Sequence, residues 1–249
     1  MSPQEQYRYE LHSRTVLDSP MDILVFRPEG EGPHPGLLLC QHIPMGHAGL
    51  ENDPFTLTSA RRLADAGFVV VVPFIFHWWP KDAPIDVKRE GSRDDWTVAD
   101  LRAAHELLRD DVSVDAARLG VVGHCWGGRV AWLAAGHLPD LEVMATFYGG
   151  NIRKSLGAGN PPPLTLTRFM EVRHVIGFYG NDDTNPSPED VDLYAQALEE
   201  AGIAHEFHRY DGAGHAFQNF PMPERYNAVA SDDAWQKLVA FLQKHLHKP

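Results

Sequence analysis

Cysteine is scarce: Cys40 and Cys125 are the only two in 249 residues. Two cysteines cannot build a disulfide framework or a multi-cysteine zinc site, and they point to a reducing compartment. A Cys-x-x-Cys pair is absent, which argues against a thiol redox role. Positive charge is also in short supply. Lys and Arg number 22 against 34 Asp and Glu, for a formal net charge of -12. That balance argues against a nucleic-acid or anionic-membrane partner, because both need clustered cations. Long apolar runs are missing as well. The longest, residues 67–76, is too short to cross a bilayer, and the polar start Met1-Ser2-Pro3-Gln4-Glu5-Gln6 has no apolar signal core. A cytoplasmic location without a membrane partner is the expectation. There is no internal repeat and no low-complexity linker, so residues 1–249 are expected to form a single domain.

Histidine, by contrast, is plentiful at 14 residues. His205 and His208 fall in an alternating strand-like run, and His245 and His247 in a charged tail. Both pairs read as surface histidines, and no metal or other cofactor is expected. Apolar runs mark strands near 22–27, 36–41, 68–73, 119–123, 143–148, 174–179 and 206–210. Helical stripes alternate with them. One begins after Asp53-Pro54, one spans 94–109, one follows Cys125, one starts after Ser187-Pro188, and the last spans 232–245. Strands separated by helices predict an α/β fold with a mainly parallel sheet covered on both faces. No helix separates the earliest strands, so an antiparallel hairpin is expected at one edge. Two stretches after strand ends, 74–92 and 149–171, read as long loops where open α/β sheets place their ligands.

The segment Gly123-His124-Cys125-Trp126-Gly127-Gly128 stands out. It lies between an apolar strand and a helix-like run. Strand, Gly-x-Cys-x-Gly turn and helix form the layout of a nucleophile elbow, with cysteine at its tip. The following helix would point its positive end at the thiol and favour thiolate. A nucleophilic cysteine needs a base, and the base an orienting acid. Asp182 and Asp183 follow one later strand, and His215 follows another within Asp211-Gly212-Ala213-Gly214-His215-Ala216-Phe217. Singly, each has a bland reading: a buried structural cysteine, a cap for the helix near Ser187, a loop histidine bonded to backbone. Three such residues in this order, each at a strand end, are the stronger pattern.

At these residues the chain resembles the dienelactone hydrolase family of α/β-hydrolases, from about Met21 to Leu246. The elbow and the Ala213-Gly214-His215-Ala216-Phe217 segment carry the specific part of the likeness; Gly180-Asn181-Asp182 and Leu38-Leu39-Cys40-Gln41-His42-Ile43 fit it too. The resemblance implies an α/β-hydrolase fold with Cys125 as nucleophile, His215 as base and Asp182 as orienting acid, since Asp182 holds the family's Gly-x-Asp position. It implies an oxyanion hole from the amides of Ile43 and Trp126. It also implies hydrolysis of a small-molecule ester or lactone through a thioester; a monomer or homodimer is expected.

Two positions depart from the family. His42 stands where the family carries a glutamate beside the resting thiol, and is a candidate for thiol activation. Asn219 stands where a substrate-binding arginine is found, and Lys88, Arg89 and Arg93 do not align with the family's other arginine. An anionic dienelactone is therefore not the expected substrate. The aromatics Phe76, Trp78, Trp79 and Phe217 instead suggest a more apolar ligand, with Trp78 and Phe217 as pocket candidates. The rival expectation, from His42, is a non-catalytic small-molecule binding protein that keeps this fold with altered thiol activation.

Overall fold

The computed structural model describes residues 2–43 and 49–247. Its centre is an eight-stranded sheet: β1 (Tyr9–Val16), β2 (Ser19–Phe26), β3 (His34–Cys40), β4 (Val69–Pro73), β5 (Val114–His124), β6 (Leu141–Phe147), β7 (His174–Gly180) and β8 (Ala204–Tyr210). The spatial order is β1-β2-β4-β3-β5-β6-β7-β8. β1 and β2 form an antiparallel hairpin, and β2 runs antiparallel to β4. From β4 onward all neighbours are parallel. The mainly parallel sheet and its edge hairpin are those expected from the alternation of strands and helices, and the arrangement is the α/β-hydrolase fold that the resemblance implies.

The parallel strands are apolar throughout because helices cover both faces. β4 is Val-Val-Val-Val-Pro with every residue buried. Among the described residues seven α-helices accompany the sheet: α1 (Pro3–Tyr7), α2 (Pro54–Asp65), α3 (Ile85–Gly91), α4 (Asp94–Arg109), α5 (Trp126–His137), α6 (Pro188–Glu200) and α7 (Ala228–Leu246). The two faces are visible along β3. A side chain at Gly36 would meet Leu108 of α4, whereas the next residue, Leu37, points to the side where Leu246 of α7 packs over Gly120. α6 joins the α4–α5 layer through Trp132 and Tyr194, whose rings lie 5.7 Å apart. α2 joins α7 through Arg62, stacked on Trp235 at 3.9 Å.

The boundaries follow local chemistry. Asp53 caps α2 by accepting from the Thr56 amide, with Pro54 in the first turn. Ser187 caps α6 in a reciprocal capping box with Asp190. α7 begins four residues before the expected 232, because Asn227 caps it by accepting from Ala230. β1 has no apolar alternation to announce it: only its two end residues are buried, as fits an edge strand. The 74–92 stretch is not wholly loop, since it holds α3, and 149–171 contains a short 3-10 helix at Pro163–Phe169. Among the described residues no helix is long and apolar enough to cross a membrane.

Candidate active site

The site lies at the carboxyl ends of the central strands, where β3 lies between β4 and β5 and the chain winds off in both directions. Cys125 follows β5 and caps α5 with φ 55° and ψ -117°, a region that non-glycine residues seldom enter. The turn is held by its neighbours. The Cys125 amide donates to the Phe147 carbonyl at 2.9 Å, and its own carbonyl accepts from Gly128 at 2.9 Å. The flanking glycines are sterically required. A Cβ on Gly123 would sit 1.9 Å from the Gly127 carbonyl oxygen, and one on Gly127 would sit 2.1 Å from that of Cys40. The elbow thus packs backbone against backbone, and the sulfur stands at the start of a twelve-residue helix.

His215 arrives from the loop after β8. Its Nε2 is 3.1 Å from Sγ of Cys125, and its Nδ1 donates to Oδ2 of Asp183 at 2.8 Å. The expected partner, Asp182, is not the one used. Its side chain is exposed, while Asp183 is 5% exposed. The reason is the turn after β7. The Asn181 amide still pairs with Tyr210 and the Asp182 amide with Ala213, so the ladder to β8 runs on past Gly180. Asp182 then points outward, and the Asp183 amide bonds back to Gly180, turning its carboxylate inward. Asp183 does not cap α6, which Ser187 does; its second oxygen accepts from the Asn185 amide at 2.8 Å.

The electrostatics are those of a thiolate–imidazolium pair. Burial raises the Cys125 thiol, but the hydrogen bond and charge of His215, the charge of His42 and the Trp126 amide together hold it below the ordinary value. Burial likewise works against a charged His215, and Asp183 and the Cys125 sulfur outweigh it, raising His215 well above a free imidazole. Cys40, buried in β3 with no such partner, is pushed far upward by burial alone.

A cavity of about 350 Å³ opens on this pair. Besides Cys125 and His215 its lining includes His42, Ile43, Tyr148, Asp183, Ala216, Asn219 and Met222, together with Arg89 and Arg225. The Asn219 side chain is 3% exposed and its Oδ1 has no partner among the described residues. Two expected pocket residues lie elsewhere. Trp78 is stacked on Trp96 at 4.8 Å and donates to Asp100, in a network with His77, away from the cavity. Phe217 is fully buried behind Tyr148, 5.2 Å between rings, and does not reach the cavity surface. Phe76 and Trp79 are not part of the wall either. None of the four aromatics that suggest an apolar ligand lines the cavity, whereas Arg89 and Arg225 do. Arg89 sits on α3, within a stretch read as loop, and Arg225 lies ten residues beyond His215, so no local pattern marked either one. Lys88 instead donates to the Lys81 carbonyl, and Arg93 pairs with Asp95. Among the described residues no group of three or more His, Cys, Asp and Glu is placed to hold a metal ion.

The chain is similar to known proteins in sequence and in fold. The sequence pattern of the dienelactone hydrolase family matches residues 21–246. A carboxymethylenebutenolidase of Rhodococcus opacus is 32% identical over 199 residues, covering 78% of this chain and 77% of that protein. A protein of Escherichia coli K12 named "putative carboxymethylenebutenolidase" is 30% identical over 228 residues, covering 87% and 79%. The crystal structure of a "putative dienelactone hydrolase" from Klebsiella pneumoniae subsp. pneumoniae MGH 78578 superimposes with a TM-score of 0.82 at 25% identity, covering 95% of this chain and 98% of that one. With the fold, the elbow and the family pattern in agreement over nearly the whole chain, this protein belongs to the dienelactone hydrolase family and is an ester or lactone hydrolase.

Proposed function

We propose that the chain hydrolyses a small anionic lactone or activated ester through a Cys125–His215–Asp183 triad and a thioester intermediate. The observation that carries the reading is the continuous line from sulfur to imidazole to carboxylate, with steps of 3.1 and 2.8 Å. The thiol proton passes to Nε2 of His215, and the sulfur attacks the carbonyl carbon. The carbonyl oxygen takes up charge between the amides of Trp126, at the start of α5, and Ile43, just past β3. The ring C–O bond breaks, and the leaving oxygen takes the proton from His215. Water then attacks the thioester, His215 accepts its proton, and the sulfur leaves and is reprotonated. Asp183 keeps Nδ1 protonated so that Nε2 faces the sulfur throughout.

The substrate class follows from the wall. Arg89 and Arg225 supply two cations, and Asn219 a buried amide, to a cavity that otherwise carries Ile43, Tyr148 and Met222. A carboxylate on the substrate complements the arginines, as guanidinium groups suit planar anions. The name carboxymethylenebutenolidase, carried by the Rhodococcus opacus relative, describes a lactone bearing such a group. Thiolate leaves easily, so enol lactones and activated esters fit better than simple alkyl esters.

The test is turnover of a carboxylate-bearing enol lactone and of its neutral methyl ester by the parent chain and by Cys125→Ala. The anionic lactone should be preferred in kcat/KM, and Cys125→Ala should lose turnover of both while remaining folded by circular dichroism. Undiminished hydrolysis in the folded Cys125→Ala variant would overturn the mechanism, and preference for the neutral ester would overturn the substrate class.

A further inference from the structure

Two imidazole–carboxylate pairs flank the thiol, and the mechanism above uses one. The other is His42–Asp53. His42 is 5% exposed and Asp53 4%. Nε2 of His42 lies 3.0 and 2.9 Å from the two carboxylate oxygens of Asp53, so this nitrogen carries the hydrogen and donates to them. Nδ1 is the nitrogen not committed to Asp53. The carboxylate is itself held, accepting from the Thr56 amide at 3.2 Å and the Thr56 hydroxyl at 2.6 Å. The imidazole packs against Phe55, 4.8 Å between rings. His42 shares the cavity wall with Cys125, whereas Asp53 is not part of that wall. The ring therefore stands between the carboxylate and the cavity. A buried carboxylate facing a neutral ring is poorly compensated, and one facing an imidazolium is paired.

From this arrangement we infer that His42 is a second imidazole acting on Cys125, protonated in the resting enzyme and holding the sulfur as thiolate, with Asp53 as the positioning residue behind it. The inference rests on the reading of Cys125 as the reacting thiol. The thiol proton still goes to His215; His42 contributes charge, not a base. The charged and titratable groups around His42 allow this. Asp53 lies behind it. His124, beyond Phe55, is kept neutral by burial. Cys125 and the His215–Asp183 pair line the same cavity, as do the cations Arg89 and Arg225. His42 and His215 both share the cavity with the sulfur.

The experiment measures the alkylation rate of Cys125 by iodoacetamide against pH, in the full chain and in His42→Gln, Asp53→Asn and the double variant. Cys40, buried in the sheet, serves as the internal unreactive thiol. The midpoint for Cys125 should move up by on the order of one pH unit in His42→Gln, which is about a tenfold loss of alkylation rate at a fixed pH below the midpoint. Asp53→Asn should move it in the same direction by less, and the double variant should match His42→Gln, because Asp53 acts through His42. An unmoved midpoint in His42→Gln overturns the inference, as does an Asp53→Asn effect that persists undiminished when His42 is already gone. Asn at position 53 retains the helix cap, so Asp53→Asn decides the matter alone if His42→Gln does not fold. A parent-chain midpoint at the ordinary thiol value of about 8.5 would instead overturn the reading of Cys125 itself, together with the inference.

Discussion

Asp182 and Asp183 are adjacent, both acidic, and both past the end of β7, yet their environments differ completely. Asp183 is buried with one oxygen on His215 and the other on the Asn185 amide, and Asp182 faces solvent. Asp183→Asn should therefore lower kcat/KM on the order of 10²-fold or more, the usual range for disabling a general base. Asp182→Asn should stay within about twofold in the same steady-state assay, as expected for a surface change. The pH profile carries a second signature. The productive thiolate–imidazolium pair exists above the lowered thiol pKa and below the raised His215 pKa. Asp183 is among the groups that raise His215, so Asp183→Asn should move the alkaline limb of kcat/KM to lower pH. An alkaline limb that stays put would mean that His215 does not set it.

At the scale of elements, the elbow brings β5, α5 and β3 into close backbone contact. Gly123→Ala places a methyl 1.9 Å from a backbone oxygen that belongs to the first turn of α5. Overpacking against fixed backbone should cost about 3 kcal/mol or more, read as a lowered midpoint in urea unfolding. A second junction lies beneath it. Arg129 of α5 is 1% exposed and forks onto the two oxygens of Asp94, the first residue of α4, at 2.5 and 2.9 Å. It also donates to the Lys154 carbonyl, and Asp94 accepts from the Leu156 amide. One buried ion pair thus ties α4, α5 and the loop after β6. Arg129→Met leaves a buried carboxylate without its cation and should destabilise by about 3–5 kcal/mol. Adding Asp94→Leu should restore part of that loss in the same unfolding experiment, because the uncompensated charge is then removed.

For the molecule as a whole, loss of stability in acid has an identifiable source. His124 is enclosed by Phe147, 4.4 Å away and stacked, and by Phe55 at 5.1 Å. Burial first, and then the charge of His42, push its pKa down to about 3. An unfolded chain would protonate the same ring near 6.5. Between those values the unfolded state binds the extra proton, so stability from this group is complete above about pH 6.5 and is lost as pH falls toward 3. Tm measured from pH 7 down to 4 should decline, and His124→Phe should flatten that decline. The net charge of -12 is a property of the surface and solubility, and it places no constraint on the cavity, where the cations Arg89 and Arg225 gather.

The elements and the order of the reacting residues were legible in the linear chain because both depend on short-range patterns. Apolar runs of strand length, helix stripes, caps such as Asp53-Pro54 and Ser187-Pro188, and the Gly-x-Cys-x-Gly turn are local. They located Cys125 and His215 at strand ends and implied the parallel sheet. What the tertiary structure decided depends on direction and distance. The ladder running past Gly180 turns Asp183 inward in place of Asp182. Trp78 and Phe217 are drawn into packing behind the site by their own partners, and Arg89 and Arg225 reach the cavity from segments without a pattern. His42 was visible only as a departure from its family, and its partner Asp53 only as a helix cap. The fold brings the two within 2.9 Å. Secondary structure is written in neighbours a few residues apart, whereas a site is assembled from side chains that meet only when the strands and helices carrying them are packed.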